Sequence, residues 1–210
     1  NFKTAKSARR IVKIVSDEMK NRRNSTETEN RPLSPQEMRN NMSEWNELIQ
    51  QNAHILEQME RLDIERIWEY YPPNKPIPKS KIMELENKLG LTLSSEYKEF
   101  LLCANGWQCF YQMVDLFGTE DFVSEKMSEA KSRLEIERVY DNSYCYKNLL
   151  PIAVSRDDRD LFVIILDSCQ KFGQIIWYAG GVIEIFESFK TFFITMMGYN
   201  EQELKRICAN

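Results

Sequence analysis

Histidine occurs once in these 210 residues, at position 54. A Ser-His-Asp or Cys-His site would have to be built around it, and its neighbours in sequence offer no partner. It sits inside a long helical pattern, where a partly exposed surface residue is the ordinary expectation. Glycine is scarce as well. Seven are scattered at 90, 106, 118, 173, 180, 181 and 198, and neither G-x-G-x-x-G nor G-x-x-x-x-G-K-[ST] occurs, which removes both common phosphate-cradling loops. The five cysteines (103, 109, 145, 169, 208) are odd in number and include no C-x-x-C pair. They read as reduced thiols of a cytoplasmic protein and supply no structural zinc spacing. No apolar run approaches the ~20 residues of a membrane helix. No signal peptide is present in this stretch, and the chain opens at Asn1 rather than a start Met, which leaves room for residues upstream.

What the sequence does contain is apolar and aromatic material, with 42% hydrophobic residues including 11 Phe, 9 Tyr and 4 Trp, enough for a sizeable core. Charge is unevenly spread. Residues 1–31 carry nine Lys/Arg and four Asp/Glu, net +5, and residues 32–210 carry nineteen and twenty-eight, net −9. An acidic body argues against direct nucleic-acid binding. In the basic head, Ala8, Ile11, Val12, Val15 and Met19 follow a helix face, with Lys6, Arg9, Arg10, Lys13 and Lys20 around the remainder. Such a helix can lie on an anionic membrane, enter a partner's groove, or pack on its own body, and self-association through the N-terminal helices stays open. Residues 21–33 are polar and read as a linker.

Ser34-Pro35-Gln36-Glu37 spells a capping box with proline at the first helical position. Met38, Met42, Trp45, Ile49, Leu56 and Met59 then continue a helical stripe to about residue 61. Asp63 is expected to cap a short second helix that Pro72 and Pro73 stop. Helices are expected over 79–89 and 94–104, closed by Gly90 and by Asn105-Gly106. Beyond residue 107 the pattern becomes strand-like: 113–117, 149–154, 161–166, 174–178 and 182–185, with a charged helical insertion over 119–138. Helices over 188–197 and 201–208 close the chain. This order predicts an α+β fold with a mostly antiparallel sheet packed by helices and an N-terminal helical extension.

The densest acidic cluster, Asp157, Asp158 and Asp160, lies between two strands. Three carboxylates can hold Mg²⁺ or Ca²⁺, which would make a metal-dependent enzyme. Arg156 and Arg159 interleave with them, which favours a solvated turn, no metal and no enzyme.

The segment from Ile77 to Phe193 resembles the SUKH superfamily, the SMI–KNR group of domains. Trp68 precedes a proline-rich stretch, IMELENKLGLTLSSEYKEFLLCANG (82–106) is similar to the family's paired helices, and NLLPIAV (148–154), DLFVIILD (160–167) and GQIIWY (173–178) are similar to its strands. SFKTFF (188–193) is similar to its closing helix. Ser94 stands where many members have proline. The resemblance divides the chain into a basic helix and linker (1–33), a helical extension (34–71) and a SUKH-like domain (72–210). It implies a non-catalytic, cofactor-free immunity protein that neutralises a cognate toxin domain, cationic and of nuclease or deaminase class, with a regulatory interaction module as the alternative.

An inhibitor needs exposed anchors, and residues 107–147 are not claimed by the family core. Trp107, Phe110, Tyr111, Tyr140, Tyr144 and Tyr146 stand there among Asp115, Glu120, Asp121, Glu125 and Glu129. Aromatic anchors ringed by carboxylates suit a basic partner. The competing expectation is that these aromatics fill a local sub-core.

Overall fold

The computed structural model describes residues 34–140, 148–166 and 171–209. The expected basic helix and linker lie outside them. The chain divides into two units, Asn1–Arg39 and Asn40–Asn210, the first described only from residue 34. In the first, the capping box forms as its residues dictate: Glu37 N donates to Ser34 Oγ (3.3 Å) and Ser34 N to Glu37 Oε2 (2.7 Å). These bonds open helix α1, Pro35–Leu62.

In the second unit, the Trp45, Ile49, Leu56 and Met59 stripe of α1 is buried, whereas Met42 is exposed. The Trp45 ring meets Phe100, Phe189 and Phe193 at centroid distances of 5.8, 5.6 and 5.6 Å, so residues 40–62 share one core with the segments that follow. The short helix expected after Asp63 is absent. Its carboxylate instead accepts from Ile67 N, Trp68 N and Tyr70 Oη, which folds 63–70 into a loop around a buried acid. An Asp that bonds the backbone of the following residues competes with helix formation.

Helix α2 (Lys79–Leu89) ends at Gly90, left-handed at φ +66. Helix α3 (Ser95–Cys103) starts from Ser94, whose Oγ accepts from Tyr97 N. Asn105-Gly106 does not close α3, since Ala104 is already extended. Asn105 instead accepts from Thr119 N (2.8 Å) and donates to Glu120 Oε2 (2.7 Å), and Gly106 passes directly over Gly118. A Cβ on Gly106 would overlap the Gly118 nitrogen, and one on Gly118 the Asn105 carbonyl oxygen.

The six strands β1 (Trp107–Tyr111), β2 (Val114–Leu116), β3 (Leu149–Ser155), β4 (Leu161–Ile165), β5 (Ile175–Tyr178) and β6 (Val182–Phe186) form one antiparallel sheet in sequential order. Strand β1 was not expected. It is irregular, with Cys109 at φ +50 and a register shift between Trp107 and Tyr111, so periodicity does not mark it. A 3₁₀ turn (Asp121–Val123) leads into α4, Glu125–Tyr140. The two closing helices expected are one, α5 (Phe189–Cys208): Ser188 Oγ caps it and Gly198 does not break it.

Strand β4 is buried along its whole length, so both faces of the sheet are covered there. Phe162 meets Phe192 of α5 at 5.0 Å and pairs across the strands with Trp177, which sets the α5 face. The alternate residues Leu161, Val163, Ile176 and Tyr178 face the other way, where α4 packs on β3 and β4.

Candidate partner-binding surface

The residues expected to anchor a partner separate by burial. Trp107 and Phe110 are 0% exposed. The Trp107 indole donates to Tyr71 O (2.7 Å), and Phe110 packs on Phe192 and Phe193. Both are core residues and cannot be surface anchors, because β1 turns them under α5. Tyr111 is half-buried against Trp177 and Tyr199, and burial pushes its hydroxyl up to about 12. Tyr144 and Tyr146, and the side chain of Tyr140, lie outside the described residues. Glu120 and Glu125 are exposed, and Asp121 is half-buried, holding Gly118 N and Lys126.

Asp115 is also inside, 3% exposed. It accepts from Cys109 N (3.0 Å), Lys126 Nζ (2.9 Å) and Arg156 Nε (3.1 Å). Burial pushes its carboxyl up, but the hydrogen bonds from Lys126, Arg156 and Cys109 outweigh that and leave it below the ordinary value. Arg156 continues outward to Glu69 Oε2 (2.5 Å) and lies over the Tyr71 ring (5.5 Å). This chain of charges fastens β2, α4, the β3–β4 turn and the 63–71 loop together. It is an internal tie.

The Asp157–Asp160 segment is a tight turn, with Ser155 N bonded to Asp160 O and Asp158 N to Ser155 Oγ. The carboxylates part company. Asp160 turns to the α5 face and accepts from Trp177 Nε1 (2.7 Å), while Asp157 and Asp158 line a pocket on the α4 side. Among the described residues, no three His, Cys, Asp or Glu side chains are placed to hold a metal ion. His54 is exposed and shares a hydrogen bond with Gln58 (2.6 Å).

That pocket, of about 730 Å³, is lined by Arg133, Ile136 and Glu137 of α4, by Arg156–Arg159 of the β3–β4 turn, and by Gly180 of the β5–β6 turn. Arg133, Ile136 and Glu137 share one helix face at i, i+3, i+4 spacing. Glu137 ties the helix to the sheet by accepting from Gly180 N (2.8 Å). Ile136 of this lining is 60% exposed, and further large aliphatic side chains are open at Val139 (81%) on α4 and at Val182, Ile183 and Ile185 on the edge strand β6. Val182 pairs with Tyr178 and Ile185 with Ile176, so both look to the α4 side of the sheet. Sequence reasoning missed this surface. Its one signal was a pair of aliphatics, Ile136 and Val139, besides the buried Met127, Ala130 and Leu134 of a highly charged helix.

Residues 76–195 match the SMI1 / KNR4 family (SUKH-1). The chain belongs to that family. The SUKH match takes in α2 through the first turns of α5, with all six strands, and leaves α1 outside. A solved structure titled "Crystal structure of protein from Pseudomonas syringae pv. tomato" is 21% identical to this SUKH protein, covering 64% of this chain and 89% of its own, with a TM-score of 0.38. No curated protein matches the chain. Among the described residues, no helix is long and apolar enough to cross a membrane.

Proposed function

We propose that this SUKH protein is a non-catalytic immunity protein of the cytoplasm, which binds and neutralises a cognate, cationic toxin domain. The family includes immunity proteins and its domains commonly bind partner proteins. The observation that carries the reading is the set of open aliphatic side chains on α4 and β6, with a charged pocket beside α4. Exposed aliphatic side chains rimmed by charge are the ordinary make-up of a protein interface. The net −9 over residues 32–210 suits a cationic partner, because complementary charge speeds encounter and disfavours wrong partners.

The test is co-expression with any toxin domain that a neighbouring gene encodes, followed by calorimetry on the purified pair. Protection of the host and a stoichiometric complex are expected. Absence of both overturns the reading and favours a regulatory module.

A further inference from the structure

The pocket beside α4 contains a group that the fold leaves without a partner. Glu137 is 5% exposed; its Oε1 accepts from Gly180 N, but its buried Oε2 has no hydrogen-bond donor among the described residues. Buried carboxylate oxygens are normally paired, so an unpaired one on a residue of the pocket lining marks a place where a donor belongs.

The remaining lining residues say which kind of donor. Three arginines and three acids line the pocket, but they are not equally available. Arg133 is committed to Ser155 O, Asp158 O and Glu129, and Arg156 to Asp115 and Glu69, where the acids Glu129, Asp115 and Glu69 lie outside the lining. Among the described residues, Asp157 is exposed and makes no hydrogen bond or ion pair, and the Asp158 carboxylate accepts only from the Arg159 backbone N–H. Among the described residues, Arg159 is the one arginine of the lining whose guanidinium has no hydrogen-bond or ion-pair partner. With two cations neutralised from outside, Glu137, Asp157 and Asp158 outnumber Arg159. The pocket therefore favours a cation with N–H donors.

We propose that it receives a single lysine or arginine side chain of the protein partner, whose cationic head supplies the missing donor to Glu137 while Asp157 and Asp158 hold it at the mouth. This rests on the partner being a protein, as proposed above, and Ile136 and Val139 beside the pocket give the aliphatic stem and its neighbours something to cover. Charge-assisted bonds to a buried carboxylate are the strong kind, so one residue of the partner would carry a large share of the specificity.

The probe is Nα-acetyl-arginine methylamide, with the lysine analogue and sodium acetate in parallel, titrated into the full chain and followed by backbone amide shifts. Saturable shifts at Gly180 and Arg159 are expected for the two cations and not for acetate. Glu137→Gln keeps an oxygen for Gly180 N, and Asp157→Asn sits at an exposed position; each should weaken the cation by roughly tenfold. Saturation by acetate, shifts unchanged in both variants, or no saturation by any probe overturns the proposal. A toxin that binds both variants as tightly as the parent also overturns it, while leaving the immunity reading intact. Cation binding that survives in a protein with no toxin partner supports the pocket and removes the immunity reading alone.

Discussion

Asn200 of α5 donates to Asn52 Oδ1 of α1 across 2.9 Å inside the core, and both amides also point at one acceptor, the carbonyl of Phe110. Each asparagine is 1% exposed. The acceptor is available because β1 is irregular at Cys109, so the helices supply donors where the sheet does not. Asn200→Ala should lower stability by about 1–3 kcal/mol, since it leaves buried polar groups short of partners. Urea unfolding of the two single alanine variants and the double variant should show strong non-additivity, because both act on one carbonyl. Additive losses would mean the three groups are not a unit.

Helix α1 lies outside the family match, yet its side chains fill the core. Trp45→Ala should cost about 3–5 kcal/mol, as expected for emptying a buried aromatic site. A fragment beginning at residue 72 should lack cooperative unfolding by calorimetry, whereas one beginning at residue 34 should unfold cooperatively. Equal melting behaviour of the two would make α1 dispensable.

Acid should weaken the fold in a predictable direction. Burial pushes both Asp63 and Asp115 up, but hydrogen bonds to each outweigh it, so both titrate below the ordinary value of 3.8 in the folded chain. Their stabilisation is therefore complete above that value and is lost as pH falls through the lower folded one. Asp160 is raised, chiefly by burial, so its contribution has the opposite sign and grows as pH falls. Denaturant midpoints measured from pH 6 to pH 3 should fall less steeply for Asp115→Asn and more steeply for Asp160→Asn than for the parent.

Thiol reactivity should follow burial. Burial pushes the Cys103 and Cys109 thiols up to about 11, and both are enclosed, whereas Cys208 is exposed. Brief iodoacetamide treatment at pH 8 should modify Cys208 and spare Cys103 and Cys109 until denaturant is added, as read by peptide mass mapping. Early modification of Cys109 would show that β1 opens readily.

Surface variants should divide binding from folding. Ile136→Ala and Val139→Ala should weaken toxin binding by on the order of 1–2 kcal/mol each with unchanged unfolding midpoints. Charge reversal at Glu125 should mainly slow association, more so at low salt. Trp107→Ala should instead unfold the protein, because its site is fully buried.

Much of this architecture is written in local chemistry. The Ser34–Glu37 box, Gly90, the Ser94 and Ser188 caps and five of the six strands follow from short-range signals that tertiary contacts do not override. The failures are where a residue type has two uses. Asn105-Gly106 reads as a helix end but serves a backbone crossing, and Asp63 reads as a cap but organises a loop. Gly198 reads as a break, yet Asn200 just beyond it is anchored to β1 and α5 stays whole. The binding surface was least legible, since aromatic content cannot tell an anchor from a core residue, and Trp107 and Phe110 are the latter. Exposure depends on what covers a side chain, and Ile136, Val139 and Ile185 acquire it only from how α4 lies on the sheet.

The crossing of Gly106 over Gly118 constrains how this chain can be recombined with its relatives. The overlap that any Cβ would create is with backbone atoms, so no change of a neighbouring side chain can relieve it. The two positions thus behave as one inherited unit. A chimaera whose breakpoint falls inside the β1–β2 hairpin takes residue 106 from one parent and residue 118 from the other, and it folds only when both parents supply glycine. Breakpoints placed before Asn105 or after Glu120 carry the whole junction across intact.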